Sequence, residues 1–233
     1  MRPRLLMAVA LLACAACAAP PLQSRVVDHG PLWLVRLDAS RDPAQTARQF
    51  NHPMDVSDPE LMVILEHVFI EGPATGTPPR PVFSYGELTC IVPGIREALH
   101  RATASEWVVF SVMDPKATHQ TLTSGGLFVK DAKLYLLLAN HRLQVPAGKT
   151  DVVDPLTAIP LHVQGQNPDS AALIFSPPRF MGHPDPDVLP TRSEPVRRIV
   201  VDYDALRAER DKWTTLLPPV LGERQTVRMA TGC

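Results

Sequence analysis

No run of lysine or arginine long enough to track a phosphate backbone occurs in the 233 residues, and the formal net charge is only −1. A nucleic-acid partner is therefore not expected. Past the first twenty residues, no segment stays apolar without charge or proline for the roughly 18–20 residues that a spanning helix needs. The motifs of familiar chemistry are missing too. There is no His-Glu-x-x-His, no Gly-x-Ser-x-Gly, no Gly-x-x-x-x-Gly-Lys and no Gly-x-Gly-x-x-Gly. The eight histidines (His29, His52, His67, His100, His119, His141, His162, His183) are scattered without metal-ligand spacing. Neither a metal nor any other cofactor is expected. Cysteine is scarce, at four residues: Cys14, Cys17, Cys90 and Cys233.

Proline, in contrast, is abundant. Its 25 positions are about twice ordinary usage, which means fixed bends, extended connectors and few long helices. A hydrophobic fraction of 45% is that of a folded globular chain rather than a disordered one.

The N-terminus carries the clearest signal. Arg2 and Arg4 precede an apolar core from Leu5 to Ala13, and the small-residue run Cys14-Ala15-Ala16-Cys17-Ala18-Ala19 comes after it. A basic start, a short apolar core and small residues at a cleavage point are the three parts of a secretory signal. Cys14 and Cys17 lie within it, so a folded Cys-x-x-Cys redox or metal pair is not the reading.

Two windows, Leu11-Leu12-Ala13-Cys14 and Cys14-Ala15-Ala16-Cys17, resemble the lipobox of bacterial lipoproteins. The first has the aliphatic residue but leaves a short leader; the second has better length but carries Cys14 at the aliphatic position. Cysteine parity favours Cys17, because cutting there leaves Cys90 and Cys233 as a pair. Cutting at Cys14 leaves an odd thiol in an oxidising compartment. Ordinary signal-peptidase cleavage near Ala16–Ala19 is the alternative. The resemblance implies a multiply acylated cysteine holding the protein on a membrane. Ala18 rather than Asp after that cysteine implies an outer-membrane destination facing the periplasm. Loss of residues 1–16 leaves 217 residues, and loss of Arg2 and Arg4 takes the charge to −3.

Further along, residues 17–25 read as a tether and Leu32–Leu37 as a strand. Asp42-Pro43 suggests a short helix. Ser57 and Glu60, then Ser84 and Glu87, have capping-box spacing, each flanked by a staple pair (Val56 and Leu61, Phe83 and Leu88). The spacing predicts one helix over 58–66, continued by either more helix or a strand. It predicts a second helix from Tyr85 to Ala102, broken or kinked at Pro93-Gly94. Gly72–Pro81 reads as a loop and Trp107–Val112 as a strand. Leu122–Lys130 and Lys133–Leu138 flank a two-residue turn, with the second strand central. Residues 161–164 and 171–175 suggest another strand pair. Pro177–Pro195 reads as an extended linker. Next come a strand over Arg197–Val201 and a helix running to Leu217.

The expected fold is α+β: an antiparallel sheet with helices packed on one face, plus a C-terminal helix after a proline-rich connector. In domain terms, 1–16 is the signal, 17–25 the tether, 26–176 the α+β domain, 177–195 the linker and 196–233 a strand-helix segment.

Candidate sites are few. Ser124, in Thr123-Ser124-Gly125-Gly126, is the best nucleophile, with His119 near it in sequence and Asp114 available; the glycines could offer amides to an oxyanion. Asn140-His141-Arg142, at the end of the apolar strand, could line a ligand site or simply run into solvent. Cys90 and Cys233 could pair as a disulfide. The expected function is that of a non-catalytic, lipid-anchored envelope protein, a scaffold or assembly factor with an unidentified protein partner. A periplasmic module binding a small molecule or glycan, and a hydrolase using Ser124 and His119, are the alternatives.

Overall fold

The computed structural model describes residues 24–39, 50–72, 78–113, 121–144, 172–183 and 197–209. The architecture is α+β and dominated by antiparallel sheet, with three helices among the described residues.

The largest element is a six-stranded sheet. In chain order its strands are β1 (Ser24–His29), β2 (Trp33–Ala39), β5 (Glu106–Met113), β6 (Thr121–Lys130), β7 (Lys133–Gln144) and β9 (Arg197–Asp202), and they lie side by side in that same order. A second sheet of three strands places β3 (Val68–Glu71) between β4 (Arg80–Pro81) and β8 (Ala172–Phe175). All pairings are antiparallel.

The β6–β7 hairpin forms where the sequence predicts it. Asp131 and Ala132 both take positive φ, 49° and 61°, the backbone that a two-residue hairpin turn demands. Asn51 Oδ1 accepts from the Asp131 amide at 2.6 Å, and the Ala132 carbonyl accepts from the Tyr203 amide at 3.1 Å. These bonds hold a non-glycine turn from both sides.

One sheet face is covered by helices. Helix α1 spans Asp58–Glu66 and α2 spans Tyr85–Arg101. Val35, Phe110, Leu127, Leu136 and Ile199 alternate along their strands and share one core with Leu61, Ile64, Leu88, Ile91, Ile95 and Leu99 of the helices. The opposite face is also buried. There Trp107, Val109, Phe128, Tyr135, Leu137 and Val200 cluster beneath Phe50, whose ring lies 4.6 Å from Phe128. Burial of the sheet on both faces explains why β5 is buried along its whole length and apolar except at Glu106 and Ser111, rather than alternating.

Several expectations change. Helix α2 is continuous through Pro93, so the break expected there does not occur. One proline costs a helix about 3 kcal/mol, whereas each large apolar side chain that α2 buries is worth about 1.5–3 kcal/mol. Gly94 is there for contact: a Cβ at this position would come within 2.8 Å of Asp28 and 3.0 Å of Val35. The box at Ser57 is only half made. Ser57 Oγ accepts from the Glu60 amide at 3.4 Å, but the Glu60 carboxylate turns away to the Tyr203 hydroxyl at 2.9 Å. Chain after α1 switches to strand at Val68.

Strand β8 pairs with β3, from Val68 opposite Phe175 to Glu71 opposite Ala172. The expected partner at 161–164 lies outside the described residues, as does the Asp42-Pro43 helix start. The tether expected at 17–25 gives way to β1 at Ser24. The start of the proline-rich stretch is packed rather than extended. Phe180, in a short 3-10 turn, is buried in the core, and Met181 bridges to Val201. Beyond it, β9 joins the main sheet against β7. Helix α3 (Tyr203–Ala208) buries Tyr203 and Leu206 in the same core; residues 210–217 of the expected helix lie outside the described residues.

Candidate functional site

Ser124 sits in the middle of β6, not in a loop before it, and is fully buried. Asn140 Nδ2 donates to its Oγ at 2.8 Å, so the structure brings together two candidate residues that the sequence had assigned to different sites. The glycines after Ser124 make room for neighbours. A Cβ on Gly125 would overlap the Leu137 carbonyl, and one on Gly126 would lie 2.5 Å from the Trp107 ring. Close packing accounts for both glycines without an oxyanion. His119 and Asp114 lie outside the described residues.

The end of β7 is more informative. The β6–β7 register shifts twice, between Leu122 and Ser124 and between Ser124 and Gly125, so that Ser124 stands opposite Asn140 and Gly125 opposite Leu138. Irregularities of this kind re-aim the end of a strand. Arg142 then takes φ 49°, a left-handed backbone that is uncommon outside glycine and a mark of local strain. His141, partly buried, hydrogen-bonds the Pro81 carbonyl of β4 and tethers the second sheet to the first. Its Nε2 is buried and has no partner among the described residues.

Charge gathers around this imidazole. Burial lowers the His141 pKa to about 4, and the positive charges of Arg142, Arg197 and Arg80 push the same way, while the Pro81 bond opposes them. The ring is neutral at physiological pH. Arg80 and Arg142 are exposed and Arg197 is half-buried.

Beneath Arg142 lies Glu87, completely buried. Its Oε2 accepts from the Ser84 amide at 2.6 Å and its Oε1 from the Thr123 hydroxyl at 2.9 Å. Burial pushes this carboxyl up, opposed by those hydrogen bonds and by the charge of Arg142. Glu87 thus closes the capping box of α2 and ties that helix to β6. The capping spacing points to the first role; nothing local in sequence points to the second. Arg80 and Arg197 carry no sequence signal either, because strand pairing far along the chain assembles the cluster.

The cluster offers fixed positive charge and hydrogen-bond donors rather than a proton-exchanging group. Guanidinium groups stay charged and do not exchange protons, and their field repels a cation. No cluster of three metal-ligating side chains occurs among the described residues. An open groove of about 570 Å³ beside α1 offers less. Its polar groups already have partners: Asp58 with Arg96 at 2.8 Å, Asp55 with the His100 ring at 2.8 Å, and Glu60 with the Tyr203 hydroxyl at 2.9 Å and Arg207 at 3.7 Å.

Cys90, on the buried side of α2, is disulfide-bonded. The other three cysteines, Cys14, Cys17 and Cys233, lie outside the described residues. No helix among the described residues is long and apolar enough to cross a membrane. No protein-family model, no curated protein and no solved structure matches the chain.

Proposed function

We propose that this chain is an exported envelope protein, anchored by lipid on Cys17 (with Cys14 as the alternative), that works by binding a partner in the periplasm and performs no catalysis. The disulfide at Cys90 carries this reading. Such bonds persist in oxidising compartments and are rare in the reducing cytosol, so the bond agrees with the signal-like N-terminus. If Cys17 is acylated and Cys14 leaves with the leader, Cys233 is the remaining partner for Cys90. Ala18 after the acylated cysteine favours the outer membrane.

In this reading the working part is the α+β sheet domain with its helices on one face. The C-terminal helix lies past the proline-rich connector, and a short tether separates the domain from the lipid. Sealing of Ser124 inside β6 weighs against the hydrolase alternative. Ligand binding at Asn140–Arg142 keeps support of its own, from the arginines around His141.

Crosslinking in isolated envelopes, with mass spectrometry of the attached species, tests the proposal. A reproducible protein partner supports the scaffold role. Lipidated protein without any protein partner moves the function to ligand binding.

A further inference from the structure

We propose that the end of the main sheet where β1 begins is the surface that rests on the phospholipid head groups of the anchoring membrane. This deepens the reading above and rests on the lipid at Cys17.

The chain gives this end little room to leave the bilayer. Six residues lie between Cys17 and Ser24, where β1 starts. Even fully extended, the seven steps from Cys17 to Ser24 span at most about 25 Å. Strand β7 is longer than that tether. Its 12 residues, at about 3.3 Å each, put Gln144 about 36 Å from Lys133. One end of the sheet is held near the head groups while the other stands off.

Strand register shows what shares the tethered end. Ser24 stands opposite Asp38 near the end of β2, and Ala39 stands opposite Glu106 at the start of β5. There β6 ends and β7 begins, with Lys130 opposite Lys133 across the Asp131-Ala132 turn. Among the described residues β1 is an edge strand with β2 alone beside it, and Arg25 fixes its start. The Arg25 Nε and Nη2 donate to the two Glu106 carboxylate oxygens at 3.0 and 2.9 Å. Nη2 also donates to the Arg101 carbonyl at the end of α2, at 3.2 Å. Thr103 donates to Glu106 Oε2 from its amide and its hydroxyl, both at 2.9 Å. The tether is thereby tied to β5 and α2 as well as to β2.

The charges at this end suit head-group phosphates. Arg25 is paired with Glu106, and Arg101 with Glu97 at 2.6 Å. Asp202, across from Lys133 on β9, caps α3 by accepting from the Ala205 amide at 2.9 Å. Lys130 and Lys133 form no ion pair among the described residues, and Asp131 between them offsets one of their two charges. Like charges directly opposite on neighbouring strands are unfavourable, and phosphates facing them relieve that. The long apolar stems of the lysines let both ammonium groups reach outward from the turn.

The test is photocrosslinking of the mature lipidated protein in vesicles of phosphatidylethanolamine and phosphatidylglycerol. Three single variants, Lys130→Bpa, Lys133→Bpa and Gln144→Bpa, place the photoreactive residue p-benzoylphenylalanine (Bpa) at the two ends of the hairpin. All three positions reach the surface, and thermal unfolding of each variant verifies the fold. Expected is phospholipid capture at Lys130 and Lys133 about fivefold above that at Gln144, because the tether confines the near end. Inserting about fifteen glycine and serine residues after Ala19 lengthens the extended reach to about 75 Å, and should bring that excess below about twofold. Equal capture at the two ends, or an excess that the insert leaves unchanged, would overturn the surface. The N-terminal peptide mass of the same samples separates the two readings. An acylated Cys17 with equal capture overturns this surface and leaves the anchor standing, whereas an unacylated N-terminus removes the anchor and this surface with it.

Discussion

Asn140 Nδ2 donates to Ser124 Oγ at 2.8 Å across neighbouring strands, with both residues buried. This contact makes Ser124 a structural member of the sheet. Ser124→Ala removes the acceptor and leaves a buried amide short of a partner, which costs about 1–3 kcal/mol. The drop in urea midpoint for Ser124→Ala measures it. A neutral substitution would mean that the bond does not form.

Gly125 and Gly126 are required by the groups that lie against them. Gly125→Ala drives a methyl into the Leu137 carbonyl, a backbone atom that cannot rotate aside. The expected loss is about 3 kcal/mol. Gly126→Ala meets the Trp107 ring and also destabilises. If instead the glycines served an oxyanion, both alanine variants would fold with ordinary stability, which the same urea titration would reveal.

Glu87 has two structural duties, so Glu87→Ala should cost more than a lost helix cap. A cap is worth about 1 kcal/mol, and the stranded Thr123 hydroxyl adds about 1–3 kcal/mol. Glu87→Gln keeps one accepting oxygen and should lose less. A Glu87→Ala cost no larger than that of Ser84→Ala would contradict the tie to β6.

Acid should weaken the fold through its histidines. Burial pushes the His52 imidazole down to about 4, and neither ring nitrogen has a partner among the described residues. Unfolded, the ring titrates near 6.5, so below that pH the unfolded chain takes up a proton that the folded chain refuses. His52 therefore costs nothing above pH 6.5. Stability falls between pH 6.5 and about 4, by about 3 kcal/mol at most, and the loss levels off below. His141 acts in the same direction. Glu87, whose pKa is raised, acts oppositely, so the comparison must be between variant and wild type. His52→Leu should flatten the fall in urea midpoint between pH 7 and pH 4.5. An unchanged slope would show that His52 is solvated.

Much of the local structure was legible in the sequence. Ser84 and Glu87 announced α2, and Ser57 announced α1. Asp131-Ala132 marked the hairpin, and the apolar stretch Leu134–Leu138 marked a central strand. These signals rest on neighbours in the chain. Three things were not legible for the opposite reason. Pro93-Gly94 looked like a break because the close approach of Asp28 and Val35 is invisible locally. The pairing of β8 with β3, and of β9 with β7, joins distant segments. The arginine cluster depends on a hydrogen bond from His141 to Pro81, sixty positions away.

The pairing of Cys90 with Cys233 is read by mapping peptides under non-reducing conditions. Expected is a linked pair of peptides containing these two residues. In the chain-entropy model, closing so long a loop stabilises by about 4 kcal/mol, lost on reduction. Cys90 linked to Cys14 or Cys17 would remove that cysteine from lipidation.

The mass of the N-terminal peptide, from protein extracted out of envelopes, tests the central claim most directly. Expected is a peptide beginning at Cys17 and heavier by the mass of its acyl chains. A peptide beginning unmodified at Ala18 or beyond, or one still carrying the leader, would contradict the lipid anchor.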